Sequence, residues 1–184
     1  MTASPERVAL DVATQSDAPL LANLLELYIH DLSDVFQGLE VGPDGRFGYR
    51  RLPLYWSEPD RRVPFLIRMD GRIAGFALVQ RGSPVNPNPD ALDIEEFFVL
   101  RQYRRAGVGR IAARLVWNRL PGSWTVRVAE DNRGALAFWR DVIEKYTDGS
   151  ASEAPVLRDG RQWRIFSFSS AGLNDNGRAR SHHI

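Results

Sequence analysis

Apolar and polar residues alternate through "RVALDVA" (7–13), which predicts a strand with one covered face. The period then changes. After Ser16-Asp17, a helix-start signal, Leu21, Leu24, Leu25, Tyr28 and Leu32 recur at helical spacing. Residues 33–62 are rich in Gly, Pro, Arg and aromatics and predict a long loop holding a short helix or two. "VPFLIRM" and "RIAGFALVQ" flank Asp70-Gly71, a hairpin signal. "RGSPVNPNPDA" (81–91) predicts an irregular connection, and "LDIEEFFVL" (92–100) the next strand. Val108, Ile111, Ala112, Leu115 and Val116 mark a helix, "SWTVRVAE" a strand, and Ala135, Phe138, Trp139, Val142 and Ile143 a second helix face. "APVLRDGRQWRIFSFSS" predicts a hairpin turning at Asp159-Gly160. This order is an α+β plan around one mixed sheet. Residues 1–170 read as a single domain and 171–184 as a flexible tail.

Composition narrows the function classes. A net charge of +1 is too small for nucleic-acid binding through charge alone. The absence of cysteine excludes disulfides, a thiol nucleophile and thiolate metal sites. His30, His182 and His183 have neither ligand spacing nor a partner acid, so no metal site is expected. No signal peptide and no apolar stretch of membrane-spanning length is visible. The expectation is a soluble cytoplasmic protein with no membrane or nucleic-acid partner; a homodimer is compatible with the sequence, which does not report oligomeric state.

The stretch "LRQYRRAGVGRIAA" (100–113) carries the chemistry. Its glycines cost backbone entropy on folding, and a bound phosphate would offset that cost. A P-loop is excluded because no Gly-Lys-Ser/Thr follows. Gly107-x-Gly109-x-x-Ala112, with Glu130 about 20 residues on, fits a dinucleotide fingerprint in spacing. Against it, six residues separate the preceding strand from the first glycine, and the upstream strands form a hairpin.

Arg104-x-x-Gly107-x-Gly109, after a strand and opening a helix, resembles motif A of the GNAT superfamily of acetyl-CoA-dependent N-acetyltransferases. "EDNRGALAFW" (130–139) is similar to the family's Asn-x-x-Ala segment, with Asn132 and Ala135 in register. The resemblance extends in element order over residues 7–168, its specific motifs over 92–139. It implies a central, mostly antiparallel mixed sheet flanked by helices, with two strands splayed around acetyl-CoA. It also implies transfer of the acetyl group to a primary amine, on a small molecule or a peptide, by direct attack with general-base assistance. Cofactor contacts are then expected at Arg104, Arg105, Ala106, Gly107, Val108, Gly109 and Arg110, at the backbone of Phe98 and Val99, and at Asn132, which is equally an ordinary helix N-cap.

In several members a base stands where this chain has Glu95, as in the polyamine acetyltransferases with a similar "LEDFFV" run; Asp93 is second. Strand alternation predicts Asp93, Glu95 and Phe97 on one face and Ile94, Glu96 and Phe98 on the other. Clustered carboxylates favour a cationic acceptor. One departure stands out: the family's usual tyrosine, general acid toward the leaving thiolate, is here Trp139. Its helical periodicity favours core packing, and Tyr103, Tyr146 or water are left as proton donors. The same departure keeps open a non-catalytic acyl-CoA-binding or regulatory module. Arg46, Arg50, Arg51, Arg61 and Arg62, with Phe47, Tyr49, Tyr55 and Trp56, fall where the family builds its acceptor wall; solvated surface and recognition of an acidic group both remain open.

Overall fold

In the computed structural model the described residues are 3–171, so the predicted tail lies outside them from residue 172 on. The alternating segment forms β1 (Val8–Val12) and the leucine-rich face forms α1 (Ala18–Leu32). Leu21, Leu24, Leu25 and Ile29 are the buried positions of α1. The entry to α1 is a short 3-10 turn (Gln15–Asp17), capped by Thr14 with Asp17 reaching back to the Thr14 amide at 2.8 Å. In the long loop only Leu54–Ser57 is helical (α2), and Glu26 of α1 pins that loop by accepting from the Phe47 and Gly48 amides at 2.7 and 3.1 Å. Then follow β2 (Arg62–Met69), β3 (Arg72–Arg81), β4 (Leu92–Val99), α3 (Val108–Arg119), β5 (Gly122–Ala129), α4 (Arg133–Thr147), β6 (Ser152–Arg158) and β7 (Arg161–Ser170). Among the described residues no helix is long and apolar enough to cross a membrane.

The seven strands make one sheet in the order β1-β2-β3-β4-β5-β7-β6. Each side of it is covered by a different core. Trp117, Trp124, Trp139, Val126, Phe166 and Phe168 pack on the side of α3 and α4. Leu21, Leu25, Tyr55, Leu66, Phe76, Leu78 and Phe98 pack on the side of α1 and α2. All strand pairs are antiparallel except β4–β5, which runs parallel. A dinucleotide-binding fold would need a sheet built of parallel crossovers, so the fingerprint reading fails on topology.

Candidate active site

The parallel pair does not stay together. Pairing of β4 with β5 runs only from Leu92↔Trp124 to Ile94↔Val126, and the two strands then part. Beyond that point β4 offers backbone groups to a cleft. Leu100 donates to Ala74 at 2.8 Å, so by antiparallel alternation Phe98 also turns its amide to β3. Phe97 and Val99 therefore turn theirs into the opening, away from the expected donor Phe98.

At the top of the opening, α3 begins. Gly107, its N-cap, has φ +91°, a left-handed conformation that suits glycine. The first-turn amides of α3 have no intrahelical acceptor and carry the positive end of the helix dipole. At Gly109 a Cβ would stand 3.2 Å from the Phe138 ring, so a side chain there would crowd the approach. Val99, Arg104, Arg105, Gly107, Gly109, Arg110, Asn132 and Phe138 line this half of the cleft.

At the other end, β4 slips phase. Leu78 pairs with Glu96 but Val79 pairs with Ile94, so Glu95 is an inserted bulge residue. The insertion overturns the expected alternation. Glu95 and Glu96 both reach the α1/α2 side, while Phe97 turns to the opposite side against Phe138 and Trp139.

The model for the Acetyltransferase (GNAT) family matches residues 24–142, more than half of the chain. The chain belongs to the GNAT family. No curated protein matches it, but solved structures share its GNAT fold. An acetyltransferase from Thermus thermophilus superposes with a TM-score of 0.63 at 19% identity, over 88% of this chain and 96% of that one. A spermidine N-acetyltransferase from Vibrio cholerae, solved with CoA and spermine, gives 0.62 at 10% identity, over 89% and 96%. The ribosomal-protein-S18-alanine N-acetyltransferase from Escherichia coli gives 0.56 at 16%, over 92% and 97%.

Within this GNAT site the expected residues fall into distinct environments. Glu95 is closed in: its oxygens lie 2.5 Å from the Tyr55 hydroxyl, 2.8 Å from Arg62 Nη1 and 2.6 Å from Arg51 Nη1, and its side chain is 2% exposed. Asp93 is fully buried, held by Arg127 Nε at 2.9 Å and Gln80 Nε2 at 3.3 Å. Burial pushes its carboxyl up against the pull of Arg127. Glu96 is different. It accepts from the Tyr28 and Tyr49 hydroxyls at 2.6 and 3.1 Å, with no arginine on either oxygen among the described residues. Burial first, and then repulsion from Glu95, raise it to about 7 against the lowering by the two phenols.

Arg104 sits at the cleft but turns its side chain inward. Its Nε donates to the Val99 carbonyl at 2.7 Å, its Nη2 pairs with Asp31, and its guanidinium lies 5.5 Å from the Phe98 ring centroid. Arg110 pairs with Asp141 at 2.9 Å. Arg105 has φ +60° and is exposed at the rim. The Val108 side chain belongs to the core, and the Ala106 carbonyl accepts from the Ala3 amide. Asn132 caps α4 through Oδ1 to the Ala135 amide at 3.1 Å, and it also lines the cleft.

Trp139 is 6% exposed and packs against Phe97, Phe138 and Trp117. Tyr146 donates to Asn118 at 2.8 Å behind Trp117, and neither it nor Tyr103 lines the cleft. Tyr28 on α1 and Tyr49 do line it, and of the two Tyr28 reaches further. It borders both halves of the cleft, together with Phe97, Asn132, Ala135 and Trp139.

Proposed function

We propose that this protein is an N-acetyltransferase that moves the acetyl group of acetyl-CoA directly to a primary amine. The observation that carries this reading is the parting of β4 from β5 after Ile94, with a helix N-terminus at one end of the opening and the Glu96–Tyr28 pair at the other. The start of α3 would hold the pyrophosphate through backbone amides, and the Val99 amide would polarise the thioester carbonyl. A cytoplasmic location accords with this co-substrate.

Glu96 is the general base in this reading, in place of Glu95. Glu95 already serves two guanidinium groups and a phenol, whereas Glu96, among the described residues, meets only the two phenols and is poised near neutrality. A lysine-like amine with pKa about 10.4 costs about 4–5 kcal/mol to deprotonate at pH 7. Glu96 accepts that proton as the amine nitrogen bonds to the acetyl carbon. The carbon–sulfur bond then breaks, and Tyr28 gives its phenolic proton to the departing thiolate. Protonated Glu96, 2.6 Å from the Tyr28 oxygen, restores it. Of the two protons the ammonium loses, one thus ends on sulfur, the other leaves the acylated nitrogen for water, and both side chains return to their starting states. Burial first, and then the charge of Glu96, hold the Tyr28 proton on while Glu96 is ionised; protonation of Glu96 removes the second of these as the proton is needed. Tyr28→Phe should lower kcat/KM roughly 10²-fold. It should also move the acidic limb to higher pH, because Glu96 loses a hydrogen bond that favours its ionised form. An unchanged rate would remove Tyr28 from the mechanism.

The reading is tested by binding and by turnover. Acetyl-CoA at about 100 times its Kd should stabilise the fold by roughly 2.7 kcal/mol, and NADH should do nothing comparable. Gly109→Glu should abolish that stabilisation, and Gly109→Ala separates crowding against Phe138 from the added charge. Thiol release across an amine panel then separates an enzyme from an acyl-CoA-binding module, the second reading that Trp139 motivates. Binding without release for any amine would favour the module.

A further inference from the structure

Past the two glutamates the cleft opens into a second space of about 580 Å³, which shares Phe36, Arg51, Arg127 and Trp163 with the acceptor half. Strand register builds it. Arg127 of β5 stands opposite Ile165 of β7, Val156 of β6 opposite Trp163, and Arg158 opposite Arg161, so residues on one side of three neighbouring strands converge. Arg51, Arg127, Arg158 and Arg161 line the space, and among the described residues Asp159 is the one acidic residue that lines it with them.

Clustered carboxylates led to the expectation of a cationic acceptor. In the fold those carboxylates are already matched. Asp93 lies under Arg127, and Glu95 under Arg51 and Arg62. Both acids are buried, while the Arg51 and Arg158 side chains are about half exposed, at 51% and 49%. Arg51 and Arg127 therefore border the space over buried counter-charges. Among the described residues Arg158 has only the exposed Asp159 near it, and Arg161 pairs with Asp131 at 2.7 Å and lies over the Phe36 ring. The forks are incompletely used. Arg127 donates to Asp93 through Nε, which leaves its two Nη groups, and Arg158 meets Asp159 only at 3.6 Å. Guanidinium forks in a partly enclosed space suit an oxyanion, which accepts two parallel hydrogen bonds. Trp163 and Phe36, with ring centroids 6.2 Å apart, supply an apolar wall beside them.

We propose that this space binds an oxyanion, carboxylate or phosphate, at the far end of the acceptor, so that the substrate is an amine whose other end is negatively charged. The inference rests on the acetyltransferase reading for the role of the amine, but the anion site itself is tested by binding alone.

The probes are ω-amino compounds of graded chain length ending in a carboxylate, a phosphonate, a hydroxyl or a second ammonium. Their affinities are measured by titration calorimetry and their kcat/KM by thiol release from acetyl-CoA. At the best length an anionic end should bind about tenfold or more tighter than the hydroxyl, and the diamine weakest, as charge-assisted hydrogen bonds require. Comparison of carboxylate with phosphonate tells which oxyanion fits. Arg158→Gln, at a half-exposed position on the edge strand β6, should erase most of the preference and leave binding of the amino alcohol unchanged. Arg158→Lys should keep part of it. Equal or tighter binding of the diamine, or a preference untouched by Arg158→Gln, overturns the proposal. If anionic probes bind in the expected order and none is acetylated, the anion site stands and the acetyltransferase reading fails. If amines are acetylated with no anionic preference in affinity, the reverse holds.

Discussion

Glu96→Gln should lower kcat/KM at neutral pH by roughly 10²–10³-fold while leaving acetyl-CoA binding intact. Glutamine keeps the size of Glu96 and an acceptor for Tyr28, but it cannot take a proton. In the unaltered protein the acidic limb of kcat/KM should fall near pH 7, since burial and Glu95 raise Glu96 to about 7. The groups acting on it are the Tyr28 and Tyr49 phenols, Glu95 and Arg127. Glu95→Gln removes the repulsion and should therefore move the limb to lower pH, with the rate kept within roughly tenfold. If Glu95→Gln costs the larger factor and Glu96→Gln costs little, the base is Glu95. Stability offers a second readout. Glu96 has a folded pKa above its ordinary 4.5, so it costs the fold nothing below that value and destabilises it as pH rises through about 7. Thermal denaturation should show Glu96→Gln gaining on the unaltered protein between pH 5 and pH 8, by about 1–3 kcal/mol.

Trp139→Ala should cost about 3–5 kcal/mol of stability, measured by denaturant unfolding. The indole is nearly buried and touches Phe97 of β4, Phe138 of its own helix and Trp117 of α3. Removing it opens a cavity where both helices meet the sheet. Because Trp139 also borders the cleft, the loss should extend to acetyl-CoA affinity. Unchanged stability would show that the residue is dispensable for packing, and its presence in place of a tyrosine would then need another cause.

The element order was legible in the sequence because each segment carries its own period. The hairpin at Asp70-Gly71, the helix faces and the strand "LDIEEFFVL" needed no tertiary information. The glycine loop was legible for the same reason: a strand, a turn and a helix start are local features. The acid–base pair proposed above was not. A bulge is set by how β4 pairs with β3, and two adjacent glutamates give no sign of which is inserted. Strict alternation therefore sent Glu96 to the wrong side. Tyr28 fitted the apolar stripe of α1, and only the packing of α1 over the opening brings its hydroxyl to Glu96. Arg127 and Arg158 are far apart in sequence and meet through β7, a neighbour relation that no local pattern announces.

The bulge at Glu95 makes the site depend on the length of β4 as much as on its side chains. Upstream of it Leu92 and Ile94 face the tryptophans; downstream Phe98 faces Phe76 and Tyr28. Deleting Glu95 would restore regular pairing with neither half of the strand turned over, since Ile94 and Glu96 already face opposite sides beside Val79 and Leu78. The inserted residue is what lets two adjacent carboxylates share one side of the sheet. A substitution at 95 changes a charge, but a deletion there would take the partner from Arg51 and Arg62 and leave β4 one residue for each partner on β3.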